Sequence, residues 1–398
     1  MKSEKRHIGW LLGGMLMLLL LLTACSSSST NEEPQQPQKP KEKPVLKIYL
    51  FAPESPIVTR ANTGSVNASE DEKEIHTIDV WVFEHEEPHN KVSYIHLNDV
   101  SFSGQKEIAM EVSDQFANLP KKPNVDIYVA VNKESCGLAT GEHAIGENTT
   151  LAQLKDAYIG SAYFGVSTLQ SAVPDAGLPM SGLLENQIVS GIPPIYTAMA
   201  QNVKLVRAVS KLQFIFSKSS TGAPTITNLS ISLNANVLPQ EEYLFLEGVY
   251  PTYKSRVKST GDNDYEDATT LVQGEANVAP EINSCANPAS YAYTSETGQA
   301  YETMINTGIT NNELSRLGLF YFRESHRQLS GTISYTIGES SNTTNKTKPF
   351  TMISAGDFTR NHTWIIYGYF LGSGELRLNV VDVKAWTDDT GNPKVYNW

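Results

Sequence analysis

The chain has 398 residues, a formal net charge of −12, and 40% hydrophobic against 19% charged residues. That balance is globular rather than disordered, and the length allows two domains. Acidity of this size excludes a nucleic-acid partner: phosphate binding needs a clustered basic surface, and no basic stripe follows the first few residues.

In chain order, MKSEKRH supplies positive charge and WLLGGMLMLLLLL an apolar core too short to span a bilayer comfortably. The run ends in LTAC (Leu22 to Cys25), which has the form of a lipobox. Residues 1–25 are therefore expected to be a lipoprotein signal peptide, with the lipid on Cys25. Residues 26–44 are rich in Ser, Pro, Gln and alternating charge. They read as a tether that reaches roughly 60 Å at ~3.1 Å per residue.

The first strand is VLKIYLF (Val45 to Phe51), with Leu46, Ile48 and Leu50 predicted inward and Lys47 and Tyr49 outward. SPIVTRANTG follows, a loop of small residues around one arginine, Arg60. IDVWVF (78–83) and VDIYVAV (125–131) are further strands. TLAQLKDAY is a short helix capped by Thr150, with Leu151, Leu154 and Tyr158 on one side. A domain break is placed at 195–203, which gives an N-terminal sandwich over 45–200 and a C-terminal one over 201–398.

LVRAVSKLQFIF opens the second part. Val206, Ala208, Leu212, Phe214 and Phe216 form one face, and Arg207, Lys211 and Gln213 a polar one. NLSISL and GTISYTI alternate in the same way, as half-buried antiparallel strands do. Residues 250–311 read as surface loops, and NNELSRLGLF (311–320) as a second short helix. Near the end, Leu376, Leu378 and Val380 alternate in one phase, and Val381 and Val383 switch to the other. Trp386 and Trp398 stand as large apolar anchors. The chain reads as all-β, two sandwiches with a few short helices.

Sites for chemistry are sparse. FEHEEPHN offers His85 and His89 beside Glu84, Glu86 and Glu87, but a polar hairpin stopped by Pro88 explains it better than a metal. GDNDYED (261–267) lacks the full spacing of a calcium loop. No phosphate cradle, HExxH or GxSxG elbow is present, so neither an enzyme nor a cofactor is expected. Cys136 and Cys285 fall in different expected domains and read as idle thiols rather than a disulfide.

Together, Cys25, the Thr59-Arg60-Ala61 step, IDVWVF, VDIYVAVN, LPMSG (178–182), LVRAVSKLQF, RNHTWIIYGYF (360–370), LRLNVVDVKAW (376–386) and the closing VYNW resemble the fimbrillin family, subunits of type V pili. The resemblance implies two tandem transthyretin-like Greek-key β-sandwiches on the outer membrane and in the fimbrium. It also implies that an arginine-specific protease cuts between Arg60 and Ala61. That cut removes the first strand (within 45–60, carrying Leu46, Ile48 and Leu50). A tail strand of another subunit, here within 376–398 (Leu376, Leu378, Val380, Val383, Trp386, Trp398), then fills the groove. The partners implied are other copies, related subunits, the protease, a lipid anchor before maturation and a surface receptor. The alternative is a minor tip adhesin or another glycan- or protein-binding lipoprotein, for which the aromatic-rich 290–301 segment would line a site.

Overall fold

The computed structural model describes residues 43–51, 70–102, 104–199, 203–248, 258, 261–294, 301–338, 342–352, 358–382 and 394–397. Lys43–Trp398 form one compact unit. Cys25, Arg60, Ala61, Val383, Trp386 and Trp398 lie outside the described residues.

The first half contains β1 (Val45–Phe51), β2 (Thr77–Glu84), β3 (Lys91–Asn98), β4 (Gln105–Glu111), β5 (Val125–Val131), β6 (Tyr158–Ile159), β7 (Met180–Ile192), β8 (Ile195–Met199), β9 (Val203–Lys204) and β10 (Val206–Arg207). The strand order is β3-β2-β5-β7-β8-β1-β4, with β9 beside β1 and β10 beside β7. The long strand β7 joins two layers. Its start pairs with β5, and Ile188–Ile192 pair with β8. An extra residue in β7, where Glu185 and Asn186 oppose Asp126 of β5, and the left-handed Asn186 (φ 56) mark the bend between the layers. The folded ribbon encloses a core in which Leu46, Ile48, Leu50 and Ile108 meet Ile78, Val80, Ile127 and Val129.

Among the described residues of this half are the short α-helices α1 (Glu70–Lys73), α2 (Asp114–Asn118) and α3 (Leu151–Lys155). α3 is the helix the sequence announces. Thr150 and Gln153 form a reciprocal capping box, and Leu151 and Leu154 are buried. Tyr158 lies past its end, in β6.

The second half contains β11 (Val209–Ser219), β12 (Ile226–Leu233), β13 (Glu242–Tyr243), β14 (Thr269–Val272), β15 (Ser284–Cys285), α4 (Tyr301–Thr310), β16 (Ser315–Arg323), β17 (Ser330–Ile337), β18 (Thr344–Thr351), β19 (Thr363–Phe370), β20 (Leu376–Asp382) and β21 (Lys394–Asn397). One sheet runs β15-β11-β19-β20-β21, with β16 pairing the same edge of β11 as β15, away from β19; the facing sheet runs β14-β12-β17-β18. Leu212, Phe214, Phe216, Ile231, Ile333, Trp364 and Ile366 fill the space between them.

Three expectations are corrected here. Residues 311–320 are not helical: Ser315–Arg323 form β16, paired with β11 from Val209↔Arg323 to Phe216↔Ser315 with one register shift between Phe214 and Ile215. Pairing along a whole neighbouring strand overrides the local propensity of a short segment. Residues 250–311 are not all loop, because α4 lays Tyr301 and Ile305 on Ile215, Ile365, Tyr367 and Val381. For the same reason β11 is not half-buried. Lys211 and Gln213 are 5% and 3% exposed and Arg207, just before them in β10, is 0% exposed, because α1 and other segments cover that face and Glu72 of α1 supplies the polar partners of Arg207 and Lys211.

Candidate functional site

The first strand is an interior strand held from both sides. On one side it runs antiparallel to β4, from Val45↔Glu111 to Phe51↔Gln105. On the other it runs parallel to β8 over Val45–Lys47 and to β9 over Leu50–Phe51. Its ends are tied as well. The Val45 amide donates to the Pro194 carbonyl at 2.8 Å, and the Leu205 amide to the Phe51 carbonyl at 3.1 Å.

The alternation read from the sequence holds residue by residue. Leu46, Ile48 and Leu50 are 0%, 1% and 0% exposed, while Val45, Lys47, Tyr49 and Phe51 face outward and are half-buried. The outward face carries its own contacts: Lys47 pairs with Glu107 at 2.8 Å, the Tyr49 hydroxyl donates to Glu107 at 3.0 Å, and Lys43 pairs with Glu111 at 2.7 Å. Hydrogen bonds from Lys47 and then Tyr49 hold the Glu107 carboxyl below its ordinary range, and Glu107 in turn raises Lys47.

Taking β1 out of this arrangement opens a slot rather than an edge. β4 loses its ladder partner, the backbone groups of β8 and β9 lose theirs, and three apolar pockets open toward the core. An extended segment entering there would be bonded along both sides.

Downstream, the chain is fastened at once. The Glu72 carboxylate in α1, 1% exposed, accepts from Lys211 at 2.9 Å and from the Tyr321 hydroxyl. Its carbonyl accepts from Arg207 Nε and a terminal guanidinium nitrogen at 3.0 and 2.8 Å. The segment between β1 and this anchor, residues 52–69, contains one basic residue, Arg60.

The Arg-Asn-His start of RNHTWIIYGYF is a buried joint. Arg360 pairs with Glu324 at 2.8 Å and donates to the Leu244 and Tyr243 carbonyls at 2.8 and 2.6 Å. Glu242, Glu324 and His326 lie close enough together to resemble a ligand set. However, Arg360 already supplies the cation at Glu324, and His326 bonds Glu242 at 3.0 Å. Burial works to lower the His326 pKa, but the hydrogen bond and charge of Glu242 outweigh it and the net direction is up.

His85 and His89 are engaged separately, His85 by Asp126 at 2.7 Å and His89 by the Glu84 carbonyl at 3.1 Å. In GDNDYED, Asp262 pairs with Arg327 at 2.7 Å and Asp264 accepts the Gly261 amide at 2.7 Å. In the 290–301 segment Tyr301 is fully buried and packs edge-on against Tyr293. Cys136 and Cys285 are free and buried, and burial pushes the Cys136 thiol up to about 12.

Of the expected tail, Leu376, Leu378 and Val380 are 1%, 1% and 0% exposed in the second core, and β20 is paired with β19 on one side and β21 on the other.

This arrangement of sheets is found in solved structures. A candidate cell adhesion protein from Parabacteroides distasonis superposes with a TM-score of 0.52 at 14% identity, covering 89% of this chain and 96% of its own. The chain has that protein's fold. A candidate cell adhesion protein from Bacteroides eggerthii gives a TM-score of 0.46 at 14% identity, covering 91% and 97%. A fimbrial assembly protein from Parabacteroides distasonis gives 0.43 at 12% identity, covering 89% and 98%. No family model matches the sequence, and no curated protein matches it.

Within this fold, the residues that sequence reasoning missed are the charged ones. Glu72 and Glu107 each sit in an ordinary polar stretch, and only their partners from distant strands mark them out.

Proposed function

We propose that this protein is a structural subunit of a cell-surface fimbria that supports adhesion, and that it acts by assembling rather than by catalysing. In this reading it is exported as a lipoprotein through Cys25 and attached to the outer membrane. It is then cut after Arg60 by an arginine-specific protease and polymerised by exchange of β1 for a strand of the next subunit. The two halves, 45–200 and 201–398, act as acceptor and donor domains.

One observation carries the proposal. β1 is an interior strand bonded on both sides, yet its only covalent link to the rest of the fold passes through residues 52–69, where Arg60 is the sole basic residue. A loop of small and polar residues can be drawn into a protease cleft, and a packed strand cannot. Burial of Leu46, Ile48 and Leu50 is worth on the order of 5–9 kcal/mol at ~1.5–3 each. That is comparable to the net stability of a whole domain, so a trimmed subunit is driven to accept a replacement. Within the tail 376–398, β20 is part of the second core, so donation falls to the segment beyond Asp382. A head-to-tail contact of this kind does not close, and it builds a fibre.

Purified protein treated with an arginine-specific protease should form heat-resistant multimers on gels, with Ala61 as the new N-terminus. Arg60→Ala should remain monomeric under the same treatment. Wild-type protein that is cut at Ala61, sheds β1 and yet stays monomeric would defeat the proposal.

A further inference from the structure

This inference rests on the strand-exchange reading above and concerns what the slot selects. Glu107 of β4 takes two partners from β1 at once, the Lys47 ammonium at 2.8 Å and the Tyr49 hydroxyl at 3.0 Å. It stands opposite Tyr49 in the ladder, one position along from the pair Ile48↔Ile108 that points into the core. When β1 leaves, this carboxylate loses both contacts together and stays on the outer lip of the slot.

From Lys47 onward β1 reads KIYLF. Residues 394–398 read KVYNW. Both are a lysine, a β-branched residue, a tyrosine, one further residue and an aromatic. The two residues that Glu107 binds, lysine and tyrosine, are the ones repeated without change. Lys394–Asn397 form β21, which lies at the outer end of its sheet and pairs with β20. It can leave without separating β20 from β19.

We propose that Glu107 is a specificity-determining residue of the slot. The strand it selects is Lys394–Trp398 of a second copy of this chain, with Lys394 and Tyr396 in the places of Lys47 and Tyr49. In that register Val395 enters the Ile48 pocket. Pro393 and Asn397 fall at Leu46 and Leu50, a poorer inward match, because an amide in an apolar pocket loses its hydrogen bonds to water. With the pockets underfilled, the outward pair at Glu107 fixes the register. A slip by one residue would turn Lys394 and Tyr396 inward, and a slip by two would leave only one of them within reach of Glu107.

The experiment uses the full chain, cut at Arg60 with β1 still seated, and a fluorescent peptide of residues 389–398 (DTGNPKVYNW) that exchanges into it, followed by anisotropy. Glu107 is a partly exposed lip residue, so Glu107→Lys leaves the core untouched, and the peptide variants carry no folding risk. Lys394→Glu in the peptide should weaken exchange into the unchanged chain about 3- to 10-fold, as a cross-strand pair of this kind allows, whereas Glu107→Lys loosens the seated β1 and the unchanged peptide alike and should leave their exchange within about twofold. Reversing both should favour exchange about 3- to 10-fold over the wild-type pair, because the peptide regains an opposite charge while β1 keeps Lys47 against the new lysine. An Asn397→Leu peptide should bind at least about tenfold tighter, because the pocket is then filled by an apolar side chain. Equal affinity in all four charge combinations would overturn the role of Glu107 and leave strand exchange standing. Exchange of a 43–51 peptide without exchange of the 389–398 peptide would overturn the choice of donor. Failure of both peptides to exchange would overturn the strand-exchange reading beneath them.

Discussion

Glu302 at the start of α4 is a carboxyl held away from water. It is 6% exposed, and burial raises its pKa to about 7, while Lys211 at 3.9 Å pulls it back and Glu72 pushes it further up. The folded state therefore favours the protonated acid, whereas the unfolded chain ionises near 4.5. A raised acid contributes stability that is fully present below about 4.5 and lost as the pH climbs through about 7. Glu302→Gln removes the charge while keeping the shape. It should match the wild type at about pH 4 and exceed it by on the order of 3 kcal/mol at pH 8, since each tenfold change in the protonation equilibrium between folded and unfolded chain is worth ~1.4 kcal/mol. Urea midpoints at the two pH values decide the matter, and a difference that is the same at both would remove the ionisation account. Nothing in the sequence marks Glu302, which lies in a stretch that reads as loop. Its neighbours Glu72 and Lys211 come from segments that are distant along the chain.

At the scale of the element, β1 separates its two faces cleanly. Ile48 sits at the centre of the inward row at 1% exposure, and Tyr49 beside it looks outward. Ile48→Ala should destabilise the intact chain by about 2–5 kcal/mol, transfer and cavity together. Tyr49→Ser, which loses mainly one surface hydrogen bond and partial packing, should cost about 1 kcal/mol or less. Comparable losses from both, measured by chemical denaturation, would mean that the strand is not gripped by its pockets. Strands such as this one are legible because one face meets a core and the other meets water, which writes a period of two into the residues. β11 hides more. Its odd face carries Lys211 and Gln213, continuing from Arg207 of β10, and polar residues there predict solvent. Instead they are buried against Glu72 and other partners that arrive from far along the chain. β16 misleads for a related reason: NNELSRLGLF has local helix formers, and only the neighbouring β11 makes it a strand. The residues on which the proposed strand exchange rests are partly readable. The Leu46, Ile48 and Leu50 row is visible in the sequence, but the double-sided pairing of β1 is a property of topology. So is the enclosure of Leu376, Leu378 and Val380.

Across the whole molecule, two cores are joined by a third set of contacts. Trp81, Tyr128 and Leu154 from the first half meet Val209, Leu244, Phe245 and Tyr321 from the second, with Tyr128 edge-on to Phe245 at 5.3 Å. Arg323, fully buried, reaches across to the Gly160 carbonyl at 2.9 Å while holding the Pro239 carbonyl at 2.7 Å. Glu72 makes the same crossing, from α1 to β11 and β16. It also serves the maturation proposed above. A chain cut after Arg60 keeps its new N-terminal segment attached, because Glu72 lies on the retained side, whereas β1 has only its slot to hold it. Replacing this carboxylate leaves Lys211 and Arg207 in a buried place with one anion fewer, a change that costs about 3–5 kcal/mol where a buried pair is broken. Glu72→Gln should therefore move the entire unfolding transition of the wild-type chain, which ought to be a single step when followed by both near- and far-ultraviolet circular dichroism. Two separate steps in the wild type, or a shift confined to one of them in the variant, would show that the halves fold independently and that the contacts across the seam do not couple them.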